Sequence, residues 1–73
     1  MSEENLPLLE KILENWKGKK IALAVGGDHS FTGILEEFDE EIILLKNVID
    51  VVGNKGKSLI VKIDDINWLM LLE

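Results

Sequence analysis

Cysteine is absent from this chain, and histidine and proline each occur once. Without cysteine the protein can form neither a disulfide nor a thiolate zinc site, and one histidine is too few for a histidine-built metal site. We therefore expect no metal and no other cofactor. A domain of 73 residues buries a modest fraction of its surface, so we expect self-association into a homo-oligomer to add stability.

Aromatic residues are also scarce, and no uninterrupted apolar run approaches the length that spans a membrane. We expect no membrane partner. Core burial must come mainly from Leu, Ile and Val, and the apolar fraction of 47% is typical of an ordered domain. The first residues, Met1 to Glu4, are acidic where a secretory signal would be basic, so we expect a cytoplasmic protein.

Basic residues are outnumbered by acidic ones. The chain has eight Lys and Arg residues in total and fourteen Asp and Glu residues, which gives a formal charge of -6 and a pI near 4.6. This charge opposes a nonspecific grip on a phosphate backbone. DNA is therefore not expected as a partner, and RNA binding starts from an electrostatic disadvantage.

Two hydrophobic patterns divide the chain. Apolar residues recur at helical spacing from Leu6 to Trp16 and Gly18 can end the segment, which predicts one amphipathic α-helix over about 6–17. From about residue 20 to 72, alternating apolar positions separated by turn residues predict five short strands. The whole chain, 1–73, is interpreted as a single mainly β domain.

Turn residues indicate where the strands end. Five short antiparallel strands cannot all bury an inner face as a flat sheet, so we expect the sheet to bend into a small barrel, with the helix over an open end. We predict a first hairpin at Gly26-Gly27, a third strand that continues through Val52 with a bulge or bend at Asn47, a loop over Gly53–Lys57, a fourth strand over Ser58–Ile63 and a corner at Asp64-Asp65.

The last strand indicates self-association. Residues 68–72 are apolar on both faces, which an edge strand in water tolerates poorly, so we expect the fourth strand of one copy to pair with the fifth of the next. The alternative is that the helix and the barrel core bury these residues within one protomer. The candidate interface residues are Ile60, Lys62, Trp68, Leu69, Met70 and Leu71.

No cluster of chemistry-bearing residues indicates catalysis. Asp28, His29 and Ser30 have the types of a catalytic triad, but neighbours in a hairpin point in different directions and nothing supplies an oxyanion hole. The acidic residues 36–41 do not follow calcium-loop spacing, so we interpret them as a solvated loop, with a divalent-cation site as the alternative. We predict that the protein is not an enzyme.

The middle of the chain resembles a known family. A turn glycine at Gly27, a bending Gly33, then Leu35 and the pair Phe38-Asp39 resemble the first signature of the Sm and Sm-like proteins. The predicted order of one helix and five strands fits the same family. This resemblance implies a strongly bent, five-stranded antiparallel barrel of SH3-like type that assembles into rings and commonly binds RNA.

The positions that hold RNA in that family have changed here. The resemblance places a uridine site in the loop after the second strand and in the loop between the fourth and fifth. Asp39 keeps the family's aspartate, but the expected Asn falls within Glu41 to Ile43, and Asp64-Asp65 replaces an Arg-Gly pair. No base-reading amide or phosphate-facing guanidinium is present there. The corresponding positions are Asp39, Glu41, Ile43, Asp64 and Asp65.

Two functions follow from these patterns. The first is a non-enzymatic, ring-forming or otherwise oligomeric scaffold that binds protein partners. The alternative is a divergent Sm-like RNA-binding protein, in which Lys17, Lys19 and Lys20 would form a basic rim remote from the acidic centre.

Overall fold

The computed structural model describes residues 5–27 and 29–72, with side chains from Leu8 onward. Residues 1–4, which include Glu3 and Glu4, and Asp28 of the predicted first turn lie outside this part. A helix is followed by five strands, as predicted, with a short 3₁₀ turn over Ile63–Asp65 before the last strand. The elements are α1 (Asn5–Trp16), β1 (Lys20–Val25), β2 (His29–Phe38), β3 (Ile42–Asp50), β4 (Lys55–Lys62) and β5 (Ile66–Leu71).

The strands form one bent antiparallel sheet in the order β4-β3-β2-β1-β5. β4 and β5 are therefore the two edges, as predicted. Alternate residues of the strands face a common core, because successive side chains of a strand point to opposite faces. The fully buried side chains are Leu13, Ile21, Leu23, Leu35, Ile43 and Leu45.

Two bulges bend the β2–β3 hairpin. Between the pairs Thr32–Ile49 and Ile34–Lys46, β3 uses one residue more than β2, and Asn47 adopts a left-handed φ of 54° there. The predicted bulge at Asn47 is confirmed. A second shift puts an extra residue, Glu36, into β2. Such bulges bend and twist the strands that contain them.

Gly33 lies where β2 and β3 approach closely. A Cβ atom at this position would lie 3.1 Å from Cγ2 of Val48 and 3.2 Å from the carbonyl oxygen of Lys46. The prediction that Gly33 keeps a side chain out of the bend agrees with this geometry. Only glycine leaves room for the backbone of β3 here.

The β3–β4 connection differs from the prediction. β3 ends at Asp50 rather than Val52, and Lys55–Lys57 belong to β4 rather than to a loop. The cause is a tight turn in which the Asp50 carboxylate accepts hydrogen bonds from the backbone N–H groups of Val52 at 3.1 Å and Asn54 at 2.8 Å. This turn returns the chain at once, so that Lys55 pairs with Ile49.

The helix covers part of the core, as predicted. Leu13 is fully buried, and Leu9 and Trp16 pack beside it. The Lys17 Nζ atom lies 3.5 Å from Oε1 of Glu37, which links the end of α1 to β2. Within the described ranges, α1 and the 3₁₀ turn are both unsuited by length and hydropathy to crossing a membrane.

Candidate functional site

The structure brings together the two loops that the Sm resemblance indicates. The N–H of Ile63 donates a 2.8 Å hydrogen bond to the carbonyl of Glu41, and the neighbouring residues Ile42 and Lys62 are paired in the sheet. The β2–β3 turn and the β4–β5 turn therefore share one end of the sheet. We call this the acidic end, and its carboxylates are Asp39, Glu40, Glu41, Asp64 and Asp65, all exposed.

Asp39 shapes the first of these turns. Its Oδ1 atom accepts hydrogen bonds from the N–H groups of Glu41 at 2.8 Å and Ile42 at 2.9 Å. The bonds from Ile42 and then Glu41 favour the charged carboxylate and lower the pKa of Asp39 below its ordinary value of 3.8. The aspartate that the family resemblance singles out thus has a structural role in this chain.

Ile43 does not belong to a surface site. Its side chain is fully buried in the core, so the prediction that it could occupy an RNA-contacting position is wrong. The nearest amide to the β4–β5 turn, Asn67, donates its Nδ2 hydrogen to the carbonyl of Gly26. The chain has no arginine. The described part of the acidic end therefore offers carboxylates in place of base-reading or phosphate-binding groups.

The acidic end is also poorly arranged as a cation site. Among residues 5–27 and 29–72, no three side chains of histidine, aspartate or glutamate are grouped to hold a metal ion. Asp39 already directs one oxygen to backbone N–H groups. The exposed carboxylates are solvated, and their main effect is a local negative potential.

The candidate basic rim is less uniform than the sequence indicates. Lys17 is half-buried, ion-paired with Glu37 and 6.0 Å from the ring centre of Phe38. Lys19 and Lys20 are exposed, and Lys20 begins β1 opposite Ile34. The three lysines thus divide between the helix end and the first strand, and part of their charge is offset by an acidic neighbour.

The candidate interface residues divide between the two faces of the sheet. Ile60 on β4 is 63% exposed, and Trp68 and Met70 on β5 are 46% and 50% exposed. Leu69 and Leu71 instead are partly buried and pack against the core of their own protomer, on the inner face of β5. Lys62 is exposed on β4 opposite Ile42.

Two members of the candidate triad, His29 and Ser30, do not converge, and the third, Asp28, lies outside the described residues. His29 pairs with Val25 and Ser30 with Ala24 on β1, so successive side chains of β2 point to opposite faces. Sequence reasoning missed a different feature, a 150 Å³ depression on the outer face of the sheet between Ile49 and Trp68. It depends on strand register, for which no local motif gives a signal.

The chain was compared with known proteins. No protein-family model matches it, and no curated protein does. A conserved hypothetical protein from Pyrococcus furiosus is 60% identical, with a TM-score of 0.79 over 89% of this chain and 98% of that one. The SmAP1 heptamer of Pyrobaculum aerophilum is 23% identical, with a TM-score of 0.80 over 89% and 93%. This chain has the Sm-like fold and belongs to one family with the Pyrococcus protein.

Solved structures with the same fold as this chain come from different kinds of assembly. A heptameric archaeal Sm protein has a TM-score of 0.77 at 22% identity, over 86% of this chain and 98% of that one. A chain of the NatC complex bound to CoA has 0.75 at 17%, over 84% of each. One fold therefore occurs in quite different assemblies, and the partner of an Sm-like protein has to be argued from its surface.

Proposed function

We propose that this chain is a non-enzymatic Sm-like subunit that assembles head to tail into a ring and serves as a scaffold for protein partners. The observation that carries the proposal is the pair of sheet edges, since β4 and β5 both present unpaired backbone and exposed large apolar side chains. Such edges invite pairing with another strand. A contact between different edges repeats from copy to copy and closes into a ring.

The two edges are complementary in face. On β4, Leu59 and Val61 face the core and Ile60 faces out, while on β5 the outward residues are Trp68 and Met70. When β4 of one copy pairs antiparallel with β5 of the next, the inner faces coincide only if Ile60 lies opposite Trp68 or Met70. Each such apolar cross-strand pair contributes about 0.2–1 kcal/mol.

The similar structures support this arrangement by analogy. The SmAP1 protein of Pyrobaculum aerophilum and the archaeal Sm protein are both heptamers and share the fold of this chain. Their identities of 22–23% carry the fold across, not the number of subunits. The scaffold role is favoured over RNA binding because the acidic end repels a phosphate backbone.

Engineered cysteines test the contact, because the chain has none of its own. We expect either Ile60→Cys with Trp68→Cys or Ile60→Cys with Met70→Cys to give a ladder of covalent oligomers after mild oxidation, since opposed cross-strand Cα atoms lie about 4.5–5.5 Å apart. Ile60→Cys with Asn67→Cys is the matched control, because it places the two residues on opposite faces.

The readouts are non-reducing gel electrophoresis and native mass spectrometry. A ring predicts one dominant mass for the unmodified protein and a ladder for one of the two face-matched cysteine pairs. A monomer at all protein concentrations, with no ladder from either face-matched pair, would refute the assembly. Equal ladders from all three pairs would refute the register.

RNA binding is the second candidate, because Asp39 retains the turn that the family resemblance associates with uridine. Fluorescence anisotropy with U-rich and A-rich RNA at about 0.15 M salt tests it, since surface charges are screened beyond about 8 Å there. Tight U-rich binding would place this function first. Replacing Lys17, Lys19 and Lys20 by Ala then asks whether the predicted basic rim carries the binding.

A further inference from the structure

Part of the outer face of the sheet, which is the face opposite the core, has a different chemistry from the rest of this acidic chain. Two neighbouring rows of residues that are paired across the strands, here called rungs, cross this face, and neither contains an acidic residue. Strand pairing defines the first rung as Lys20, Ile34, Lys46 and Ser58. The second consists of Met70, Ala22, Thr32, Ile49 and Lys55.

A trough lies in this face. Ala22, Ser30 and Thr32 are small residues of β1 and β2, and they lie between Trp68 on β5 and Ile49 on β3. The trough has a volume of about 150 Å³, and Val51 extends the wall on the β3 side. Trp68 is 46% exposed and Val51 71% exposed. Water therefore covers large apolar side chains around a depression suited to an apolar group.

Two lysines lie near Ile49 on the β3–β4 side, outside the residues that line the trough itself. Lys55 is paired with Ile49 in the sheet, and Lys46 lies on the next rung, about 10 Å away by strand geometry. In the part of the chain that the structure describes, neither of these two ammonium groups has an ion-pair partner. They are available to an acidic partner.

One carboxylate also lines the trough, and its oxygen atoms already accept hydrogen bonds from the same turn. Asp50 accepts hydrogen bonds from the backbone of Val52 and Asn54, and from Nδ2 of Asn54 at 3.1 Å. These bonds, above all that from the Asn54 N–H, lower the pKa of Asp50. The charge of Asp50 thus serves the β3–β4 turn, and the lysines outnumber it on this ribbon.

We propose that the outer face binds an acidic peptide segment of a partner protein, with one large apolar side chain of the peptide in the trough between Trp68 and Ile49. Carboxylates that flank this side chain pair with Lys46 and Lys55. The inference rests on the proposed scaffold function and supplies its class of partner. The trough faces away from the core. Ring closure between β4 and β5 would place Ile60 of the next copy beside Trp68 or Met70 on the same outer face, at the β5 wall of the trough, and would leave Ile49 and both lysines accessible.

Charge and size favour a peptide over a nucleic acid. A polyphosphate chain extends past the two rungs and meets the field of a protein whose net charge is -6. The few carboxylates of a short peptide contact the lysines directly, at distances where salt screens them little. The apolar walls also suit a Leu, Ile or Phe side chain, which gains free energy by leaving water.

The test begins with a random dodecapeptide library displayed on phage, selected on the full chain at about 0.15 M salt. We expect enriched sequences that carry Asp or Glu on both sides of a large apolar residue. An enriched peptide is then synthesised with a fluorescein label, and its Kd is measured by anisotropy. No enrichment, or enriched peptides without acidic residues, would overturn the proposal.

Charge reversal locates the binding. The double variant Lys46→Glu, Lys55→Glu should raise the Kd for the selected peptide by about tenfold or more, as expected for two lost ion pairs. The matched control, Lys11→Glu with Lys19→Glu, makes the same change in net charge on α1 and just before β1, and should alter Kd less than about twofold. Ile49→Ser should also weaken binding, through the trough wall. Equal effects of the two double variants would refute the site.

Two further measurements separate this inference from its alternatives. Fluorescein-labelled U15 and A15 RNA are titrated against the same variants. RNA binding that is lost in the Lys46→Glu, Lys55→Glu variant, without peptide enrichment, would reassign the face to nucleic acid and overturn the proposal. Native mass spectrometry reports assembly independently of peptide binding. A ring that selects no peptide would refute the peptide site alone. A monomer that selects acidic peptides would refute the ring alone.

Discussion

Gly33→Ala is the most direct test of how the sheet bends. The new Cβ atom would lie 3.1 Å from Cγ2 of Val48, 3.2 Å from the Lys46 carbonyl oxygen and 3.4 Å from Cβ of Leu45. Overpacking of this kind costs about 1–3 kcal/mol. The loss of glycine's freedom in the unfolded chain offsets about 0.4–1 kcal/mol of it. We expect the free energy of unfolding to fall by roughly 0.5–2 kcal/mol.

A second substitution identifies the atoms responsible. Val48→Ala removes Cγ2 but leaves the backbone oxygen of Lys46 in place, so Gly33→Ala should cost less in that background than in the wild-type chain. The expected coupling is about 0.5 kcal/mol or more. Urea denaturation followed by far-ultraviolet circular dichroism measures all four proteins, at one protein concentration because assembly contributes to stability.

Gly27→Ala is the control for Gly33→Ala. No heavy atom lies within 4 Å of the position that its Cβ would take, so this variant should be neutral or slightly more stable. The reasoning fails if Gly33→Ala unfolds at the same urea concentration as the wild type. It also fails if Val48→Ala gives no relief, because the close approach of β2 and β3 would then not be what requires glycine.

The remaining predictions concern the helix, the acidic turn and the last strand. Leu13→Ala should lower the free energy of unfolding by about 2–5 kcal/mol in urea titrations, whereas Leu8→Ala, at a position 60% exposed, should change it little. The folded-state pKa of Asp39 is lowered, so its charge contributes stability above pH 3.8 that is lost as the pH falls through the lowered pKa. Asp39→Asn should therefore flatten the dependence of the thermal midpoint on pH below about 4, and an unchanged slope would contradict the turn-capping role. Met70→Glu should dissociate the assembly in native mass spectrometry while circular dichroism stays native, whereas Leu69→Asp should unfold the chain, since Leu69 packs in the core.

Local signals in the sequence were sufficient for much of the fold. Periodic apolar residues located α1 and the strands, and Gly33 and Asn47 marked the bend of the hairpin. The predicted end of β3 at Val52 was wrong, because Val51 and Val52 continue the apolar pattern of the strand. The strand ends at Asp50 instead, since the Asp50 carboxylate accepts hydrogen bonds from the backbone N–H groups two and four positions later. Side-chain capping competes with hydrophobic alternation, and here it prevails.

The candidate site was less accessible to sequence reasoning. The family position at Ile43 follows an exposed turn, yet Ile43 alternates with Leu45 on the inner face of β3 and pairs with Phe38, so its side chain lies in the core. The trough between Ile49 and Trp68 depends on pairings that cross four strands. No pattern in one segment reports such a register, because long-range pairing is decided by the whole sheet.

The two bulges of the β2–β3 hairpin have a consequence for changes in chain length. The extra residue at Asn47 displaces the pairing by one position, and the extra residue at Glu36 restores it, so Thr32–Ile49 and Phe38–Ile43 lie in phase. Deleting Asn47 alone would exchange the inner and outer faces of part of β3. Deleting Asn47 and Glu36 together would keep the strands in phase while removing the bend. Descendants of this sequence can therefore lose or gain residues in this hairpin only in matched pairs, one in each strand.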